Sequence, residues 1–156
     1  MEYSEICEWD YDVFHELANG YYREGEDENT AQDEIDAFIR CLFDKVIRKE
    51  IRGCFVTDSR RCIGFALWAV DTEDFAFSEL PGCGTILEIG ITPPHRASGH
   101  GRKLVAHIES CLRREQIDRC YVSAYGPAQK FWAACGYEKN GRTAKNGLPL
   151  MVKAIA

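Results

Sequence analysis

Residues 87–103 read LEIGITPPHRASGHGRK and carry the most informative pattern in the chain. An apolar, strand-like run stops at a proline pair, a loop with closely spaced glycines follows, and a helical period resumes from Gly99. Backbone amides at a helix N-terminus point into the preceding loop, and the helix dipole adds roughly half a positive charge there. Arg96, Arg102 and Lys103 add formal positive charge. The segment is therefore predicted to hold a phosphate or pyrophosphate group.

The spacing of these glycines excludes two familiar phosphate motifs. The dinucleotide fingerprint needs a third glycine, but the residue three positions after Gly101 is Leu104. The nucleoside-triphosphate loop needs Gly-Lys followed by Ser or Thr, whereas Gly101 is followed by Arg102 and Lys103. Neither motif is present.

The pattern that fits is I-x-P-x-x-R-x-x-G-x-G over residues 91–101. It resembles the acetyl-coenzyme A motif of the GNAT superfamily of N-acetyltransferases. Residues 128–137, AQKFWAACGY, are similar to the closing motif of that superfamily, and two helices are predicted before the sheet, as in its fold. The resemblance covers the order of elements over nearly the whole chain, with residue-level matches confined to about residues 85–137.

The resemblance implies the fold and the way the coenzyme binds. The expected fold is a mixed α/β or α+β single domain over residues 1–156, with a central, mostly antiparallel sheet that is splayed at the coenzyme site and has helices on both faces. The pantetheine arm would pair with the backbone of Ile89 and Ile91 as if it were another strand. The remaining residues implied to bind the coenzyme are the pyrophosphate loop Arg96, Ala97, Ser98, Gly99, His100 and Gly101, together with Arg102, Phe131 and Trp132.

Glu88 is the candidate general base. A primary amine attacks only when it is unprotonated, so a carboxylate near the thioester is chemically required. Glu88 interrupts the apolar run of residues 86–89, which is unusual for a buried strand. The alternative is that Glu88 points to solvent or pairs with a basic neighbour.

The general acid departs from the superfamily pattern. Trp132 stands where many members have the tyrosine that protonates the leaving thiolate, and an indole cannot do so. Tyr125 is the nearest substitute, and its alternatives are a packing role against pantetheine or a thiolate that leaves unprotonated. Tyr137 is expected in the core.

Composition limits the remaining classes of function. The 156 residues include 19 basic and 25 acidic side chains, which give a net charge of −6 and disfavour nucleic acid and anionic membranes as partners. No apolar stretch approaches the length of a membrane span. Eight cysteines without a C-x-x-C pair favour reduced thiols in the cytoplasm and small apolar core positions. No metal site is predicted, because His95, His100 and His107 belong to no H-E-x-x-H motif and have no cysteines beside them that could complete a ligand set.

Hydrophobic periodicity predicts the elements around the motif. A helix over residues 10–22 is expected to end near Gly20, and a second helix to start at Thr30 as its N-cap. Residues 71–84 form a long connection, which the sequence allows to be either a functional loop or a merely mobile one. Strands are predicted at 3–8, 53–57, 62–70, 85–91, 119–124, 137–139 and 150–155, and further helices from 99 and over 126–134. A turn is predicted at residues 140–142, Asn-Gly-Arg, after the strand at 137–139.

The resemblance implies an N-acetyltransferase that moves acetyl from acetyl-coenzyme A to a primary amine of a small cationic molecule or peptide by direct transfer. The connector between the first two helices contains Glu24, Glu26, Asp27 and Glu28, which favour a cationic acceptor or serve only as a solvated loop. Two alternatives stay open: a coenzyme A-binding sensor without turnover, which Trp132 favours, and an acyltransferase for a group other than acetyl. A homodimer is compatible with the sequence.

Overall fold

The computed structural model describes residues 1–25 and 29–156. These residues form seven strands and four α-helices, with short 3₁₀ turns at residues 8–10, 93–95 and 126–128. The strands follow the order β1-β2-β3-β4-β5-β7-β6 in a mixed sheet, as expected for the predicted fold class. The elements are β1 Glu2–Glu5, α1 Tyr11–Gly25, α2 Gln32–Ile47, β2 Arg52–Asp58, β3 Arg61–Val70, β4 Gly84–Ile91, α3 His100–Arg114, β5 Arg119–Ser123, α4 Gln129–Ala134, β6 Glu138–Thr143 and β7 Pro149–Ala154.

The chain divides into two compact units, and β3 and β4 each contribute residues to both. The first unit comprises Met1–Leu67 and Glu88–Gly101, and the second comprises Trp68–Leu87 and Arg102–Ala156. The first unit therefore holds β1, β2, both N-terminal helices, the end of β4 and the glycine loop.

Aromatic packing holds the two N-terminal helices on the first unit. Phe14 of α1 is fully buried, and its ring centroid lies 5.6 Å from that of Phe43 in α2 and 5.6 Å from that of Phe65 in β3. β1 pairs antiparallel with β2, from Glu2 opposite Thr57 onward. Buried aromatic side chains of this size dominate core energetics, so α1 is fixed against the strand that precedes β4.

Strand pairing in the second unit changes direction at β5. β4 pairs parallel with β5 through two residue pairs, Gly84 with Cys120 and Thr85 with Tyr121, both at the beginning of β4. β5 and β6 each pair antiparallel with β7. The splay predicted at the coenzyme site stays a prediction.

The connection over residues 71–84 is tied down by a buried aspartate. Asp71 is 1% exposed, and its Oδ2 accepts hydrogen bonds from the backbone amides of Glu79 and Leu80 at 2.8 and 2.9 Å and from the Tyr121 hydroxyl at 2.6 Å. These donors favour the charged form and hold the pKa of Asp71 below its usual range, although burial acts in the opposite direction. This segment is an anchored loop.

Several element boundaries differ from the prediction: the first strand, predicted at 3–8, is Glu2–Glu5, and the helix predicted over 126–134 begins at Gln129 after a 3₁₀ turn. α1 continues past Gly20 to Gly25, and α2 begins at Gln32 with Ala31, not Thr30, as its N-cap. The turn predicted at residues 140–142 lies inside β6 as an irregularity, after which Thr143 pairs again with Pro149. Three cysteines are buried, namely Cys54, Cys83 and Cys120, and the other five are partly or fully exposed. The prediction that the cysteines fill small apolar core positions is therefore confirmed for these three alone.

Candidate active site

The glycine loop has the backbone geometry of an anion cradle. Ala97 and Gly99 have φ angles of 62° and 82°, so two left-handed residues alternate with Ser98 directly before α3 begins at His100. Within the described residues, the amides of 97–99 donate to no backbone carbonyl. The loop is exposed. Unbonded amides in front of a long helix fit a pyrophosphate group.

The side chain of Arg96 is engaged by protein groups. Its Nε donates to the carbonyl oxygen of Ile91 at 2.7 Å, and its Nη1 and Nη2 donate to the two carboxylate oxygens of Glu24, both at 2.7 Å. The pair holds the pKa of Glu24 below its usual range. The guanidinium of Arg96, predicted to face a phosphate, is thus paired with the carboxylate of Glu24. That carboxylate, predicted to attract an amine, is neutralised by the same pair.

The histidines near the loop make local contacts. His95 Nδ1 lies 3.0 Å from the Thr92 hydroxyl, and His100 Nδ1 lies 3.1 Å from the sulfur of Met1. No group of three or more His, Cys, Asp or Glu side chains that could hold a metal occurs in residues 1–25 and 29–156.

Glu88 lies in the second half of β4, beside the C-terminal turn of α1. Burial raises the pKa of its carboxyl to about 7, while the nearby hydroxyl groups of Tyr21 and Tyr22 act in the opposite direction. The Tyr22 hydroxyl is buried and has no hydrogen-bond partner among the described residues. It therefore lies close enough to Glu88 to affect its pKa but outside hydrogen-bond geometry. A carboxyl with this pKa can accept a proton near neutral pH.

Gly90 brings α1 close to the strand that carries Glu88. A Cβ atom at this position would lie 2.6 Å from Cε1 of Phe65 and 3.2 Å from Cδ2 of Tyr21. The rings of Tyr21 and Phe65 contact each other, with centroids 5.7 Å apart. The missing side chain of Gly90 therefore leaves the space in which Tyr21 sits.

An open cleft of about 340 Å³ lies on the first unit. The side of α1 that lines it presents Val13, Glu16, Leu17 and Tyr21, and the opposite side is the beginning of β3 and the end of β4. Glu24 and Arg96 also line the cleft, but they are paired with each other. Glu16 is therefore the carboxylate of this lining that does not share in that pair.

The remaining predicted residues lie on the second unit. Tyr125 follows β5 and is 57% exposed, whereas Trp132 in α4 is buried and contacts the rings of Phe131 and Tyr137. Arg102 Nη2 donates to the carbonyl of Ala134, the last residue of α4, at 2.9 Å. Tyr137 is buried, as expected, and its hydroxyl donates to Glu109 at 3.0 Å.

The predicted site residues thus fall into two groups. The first unit brings together Glu88, Ile89, Ile91 and residues 96–101, and the second unit holds the other four. Glu26, Asp27 and Glu28 of the acidic connector lie outside the described residues. The sequence analysis did not identify Tyr21, Tyr22 or Glu16 as site residues. The helical spacing of Tyr21 assigns it to the apolar face of α1, and no sequence pattern marks Tyr22 or Glu16 as functional.

Comparison with known proteins agrees with this geometry. Residues 11–137 match the model of the acetyltransferase (GNAT) family. No curated protein matches the sequence. None of the described helices has both the length and the apolar composition needed to cross a membrane.

Solved structures share the fold at low identity. PaiA N-acetyltransferase from Thermoplasma acidophilum, in complex with coenzyme A, is 14% identical with a TM-score of 0.74, and the alignment covers 98% of each chain. A GNAT-family acetyltransferase from Staphylococcus aureus is 10% identical with a TM-score of 0.75 over 99% of each chain. An aminoglycoside 6'-N-acetyltransferase complexed with coenzyme A is 14% identical with a TM-score of 0.69, covering 100% of this chain and 98% of that one. With the family match over most of its length, the chain belongs to the GNAT family of acetyltransferases, which use acetyl-coenzyme A as co-substrate.

Proposed function

We propose that the protein transfers acetyl from acetyl-coenzyme A directly to the primary amine of a small cationic molecule or a peptide. The observation that carries this proposal is Glu88, a carboxyl whose pKa is raised to about 7 on the same strand that leads into the glycine loop. A protein that only binds the coenzyme needs no such proton acceptor. Family membership and the free loop amides support the coenzyme half of the proposal.

The backbone holds the coenzyme in this proposal. Amides of residues 97–101 bind the pyrophosphate, whereas the Arg96 amide donates to Pro93. Main-chain groups of Ile89 and Ile91 pair with the pantetheine and polarise the thioester carbonyl. The Ile91 carbonyl already accepts a hydrogen bond from Arg96, which leaves its second lone pair for another donor. Phe131 and Trp132 form the apolar wall, and Arg102 contributes charge.

Glu88 receives the proton of the acceptor amine in this mechanism, directly or through water. The amine nitrogen forms a bond to the thioester carbonyl carbon as the carbon–sulfur bond breaks, and the electron pair of that bond leaves on sulfur. The burial that raises the pKa of Glu88 suits it to take a proton near neutral pH and return it to water afterwards.

Tyr125 is proposed to protonate the departing thiolate. Tyr125 follows β5, and Trp132 lies in α4 at the position where the resemblance implies the superfamily's tyrosine. A coenzyme thiol has an ordinary pKa near 8.5, so departure without a proton is the competing route.

The cleft along α1 supports an amine with an apolar body as the acceptor. Val13, Leu17 and Phe65 supply apolar surface, and Glu16 supplies a carboxylate for a cationic group. Since Glu24 is neutralised by Arg96, Glu16 is the better candidate for attracting the acceptor.

Three further predictions belong to the same proposal. Residues 1–156 act as one domain, because the family match runs through both compact units. The eight free cysteines favour a reducing compartment such as the cytoplasm. Self-association into a homodimer stays a prediction.

Incubation with acetyl-coenzyme A and a panel of amines tests the proposal. We expect free thiol to appear together with an acetylated amine detected by mass spectrometry. Binding of the coenzyme without transfer to any amine on a broad panel would support the sensor alternative instead. A faster reaction with propionyl-coenzyme A would support the acyltransferase for another group.

A further inference from the structure

The last turn of α1 is tied to the glycine loop by a single three-way contact. Glu24 accepts both Nη groups of Arg96, and the Nε of the same guanidinium donates to the Ile91 carbonyl. The contact joins a helix end, the final residue of β4 and the first residue of the loop. We propose that Glu24 is a positioning residue that acts through Arg96 to hold the coenzyme loop, an inference that rests on the proposed role of that loop.

The loop needs such a tie because its backbone is strained. Ala97, the residue after Arg96, has a φ of 62°, a conformation that residues with a Cβ avoid. Other contacts of the loop are longer, namely the Arg96 amide to Pro93 at 3.2 Å and the Ser98 hydroxyl to the Arg96 carbonyl at 3.4 Å. The three bonds of the guanidinium, each at 2.7 Å, are the strongest restraint on the start of the loop.

Glu24 can take this position only because α1 extends beyond Gly20. The additional turn carries Tyr21 and Tyr22 next to Glu88 and ends with Glu24 beside Arg96. Tyr21 is held independently through its ring contact with Phe65. Loss of the Glu24 contact should therefore disturb the loop without displacing the surroundings of Glu88.

Both partners of the pair remain 43% exposed. An ion pair at such a position contributes little to folding stability, because solvent screens it. Glu24→Gln should therefore fold normally, and its defect should appear in the geometry of the loop.

The direction of the effect separates positioning from competition. If Glu24 positions Arg96, its removal loosens the loop and weakens coenzyme binding. If Arg96 binds the pyrophosphate directly and Glu24 competes for it, removal frees the guanidinium and tightens binding.

Isothermal titration with coenzyme A measures that direction. We expect Glu24→Gln and Arg96→Lys each to raise the Kd about five-fold, because lysine keeps the charge but loses the forked geometry. Glu50→Gln is the matched control, because Glu50 forms a surface ion pair with Arg48 on the same unit, and its Kd should not change. In turnover, KM for acetyl-coenzyme A should rise in Glu24→Gln while kcat stays within about two-fold.

Hydrogen exchange of the free protein is the second readout. We expect the hydrogen-bonded amides of Thr92, His95 and Arg96 to exchange faster in Glu24→Gln than in the unaltered protein, and Glu50→Gln to leave them unchanged. An unchanged or lower Kd for Glu24→Gln, or unchanged exchange, would overturn the positioning role alone. Failure of the unaltered protein to bind coenzyme A would instead contradict the proposed function on which that role rests.

Discussion

Glu16 is the residue on which the choice of acceptor is expected to depend. Its carboxylate lines the cleft of α1, where a cationic amine would approach. Glu16→Gln should raise KM for a cationic acceptor about five-fold at low salt and leave kcat nearly unchanged, because it removes charge attraction without touching the reacting atoms. The difference should shrink at about 1 M salt, where charges are screened.

Steady-state kinetics at saturating acetyl-coenzyme A measure this effect. Asp12→Asn is the control, because Asp12 is an exposed acid on the same helix that is not among the residues lining the cleft. Equal KM values for Glu16→Gln and the unaltered protein would place the acceptor elsewhere.

Tyr125→Phe tests the general acid. Removing the hydroxyl should lower the single-turnover rate by about 10²-fold if sulfur protonation limits the step, with no change in coenzyme affinity. Rapid-quench measurement of acetyl transfer gives this rate. A variant with the full rate would show that Tyr125 only packs and that the thiolate leaves unaided.

Single residues show how far the sequence predicts the site. Glu88 could be singled out because an acid stands in an apolar strand, and the loop because proline, glycine and helical period occur in order. The partners of Glu88 and Arg96 could not, because Tyr21, Tyr22 and Glu24 are more than 60 positions away in the chain and reach the site through tertiary packing. Local patterns carry no information on such contacts.

At the scale of elements, the glycine loop is expected to depend on the backbone of Gly99. Its φ of 82° is strained for any residue with a Cβ, and most for a β-branched one. Gly99→Val should weaken coenzyme A binding at least about ten-fold, because the loop amides can no longer point together. Titration calorimetry on the folded variant measures the loss.

Gly147→Val is the matched control for this change. Gly147 has a φ of 85° and open space around it, and it lies in the turn before β7. Its substitution should cost similar backbone strain and leave coenzyme affinity unchanged. Equal affinity losses in both variants would mean that general destabilisation, not the loop, explains the effect.

The differences between the predicted and the observed element boundaries have physical reasons. Glycine inside a helix costs only about 1 kcal/mol, so the ring contacts of Tyr21 and Tyr22 carry α1 past Gly20. In β6 the predicted turn chemistry is present, since Asn140 Oδ1 accepts from the Arg142 amide at 2.9 Å, yet pairing resumes at Thr143. Turn signals do not distinguish a hairpin from an irregularity within a strand.

For the whole molecule, the proposed base Glu88 also affects folding stability. Its folded pKa of about 7 lies above the ordinary 4.5, so the folded chain binds more protons than the unfolded chain between these values. The free energy of unfolding therefore falls as pH rises through this window. Above pH 7 the full cost of burying the ionised carboxylate has been reached. Glu88→Gln lacks the penalty and should be more stable than the unaltered protein at pH 8 by about 1 to 3 kcal/mol.

Urea unfolding at pH 5 and pH 8 measures that difference. The stability gain of Glu88→Gln should be larger at pH 8 than at pH 5. A gain that does not vary with pH would show that the carboxyl has an ordinary pKa and would remove the main support for its role as a base.

The most direct measurement is the rate of acetyl transfer to an accepted amine as a function of pH, in a single turnover of the unaltered protein and of Glu88→Gln. The rate of the unaltered protein should rise with pH through an inflection near 7, the pKa of Glu88. Glu88→Gln should be slower by about 10²- to 10⁴-fold and should lack this inflection. Equal rates with the same pH profile in both proteins would contradict Glu88 as the base, and no transfer by the unaltered protein would contradict the acetyltransferase itself.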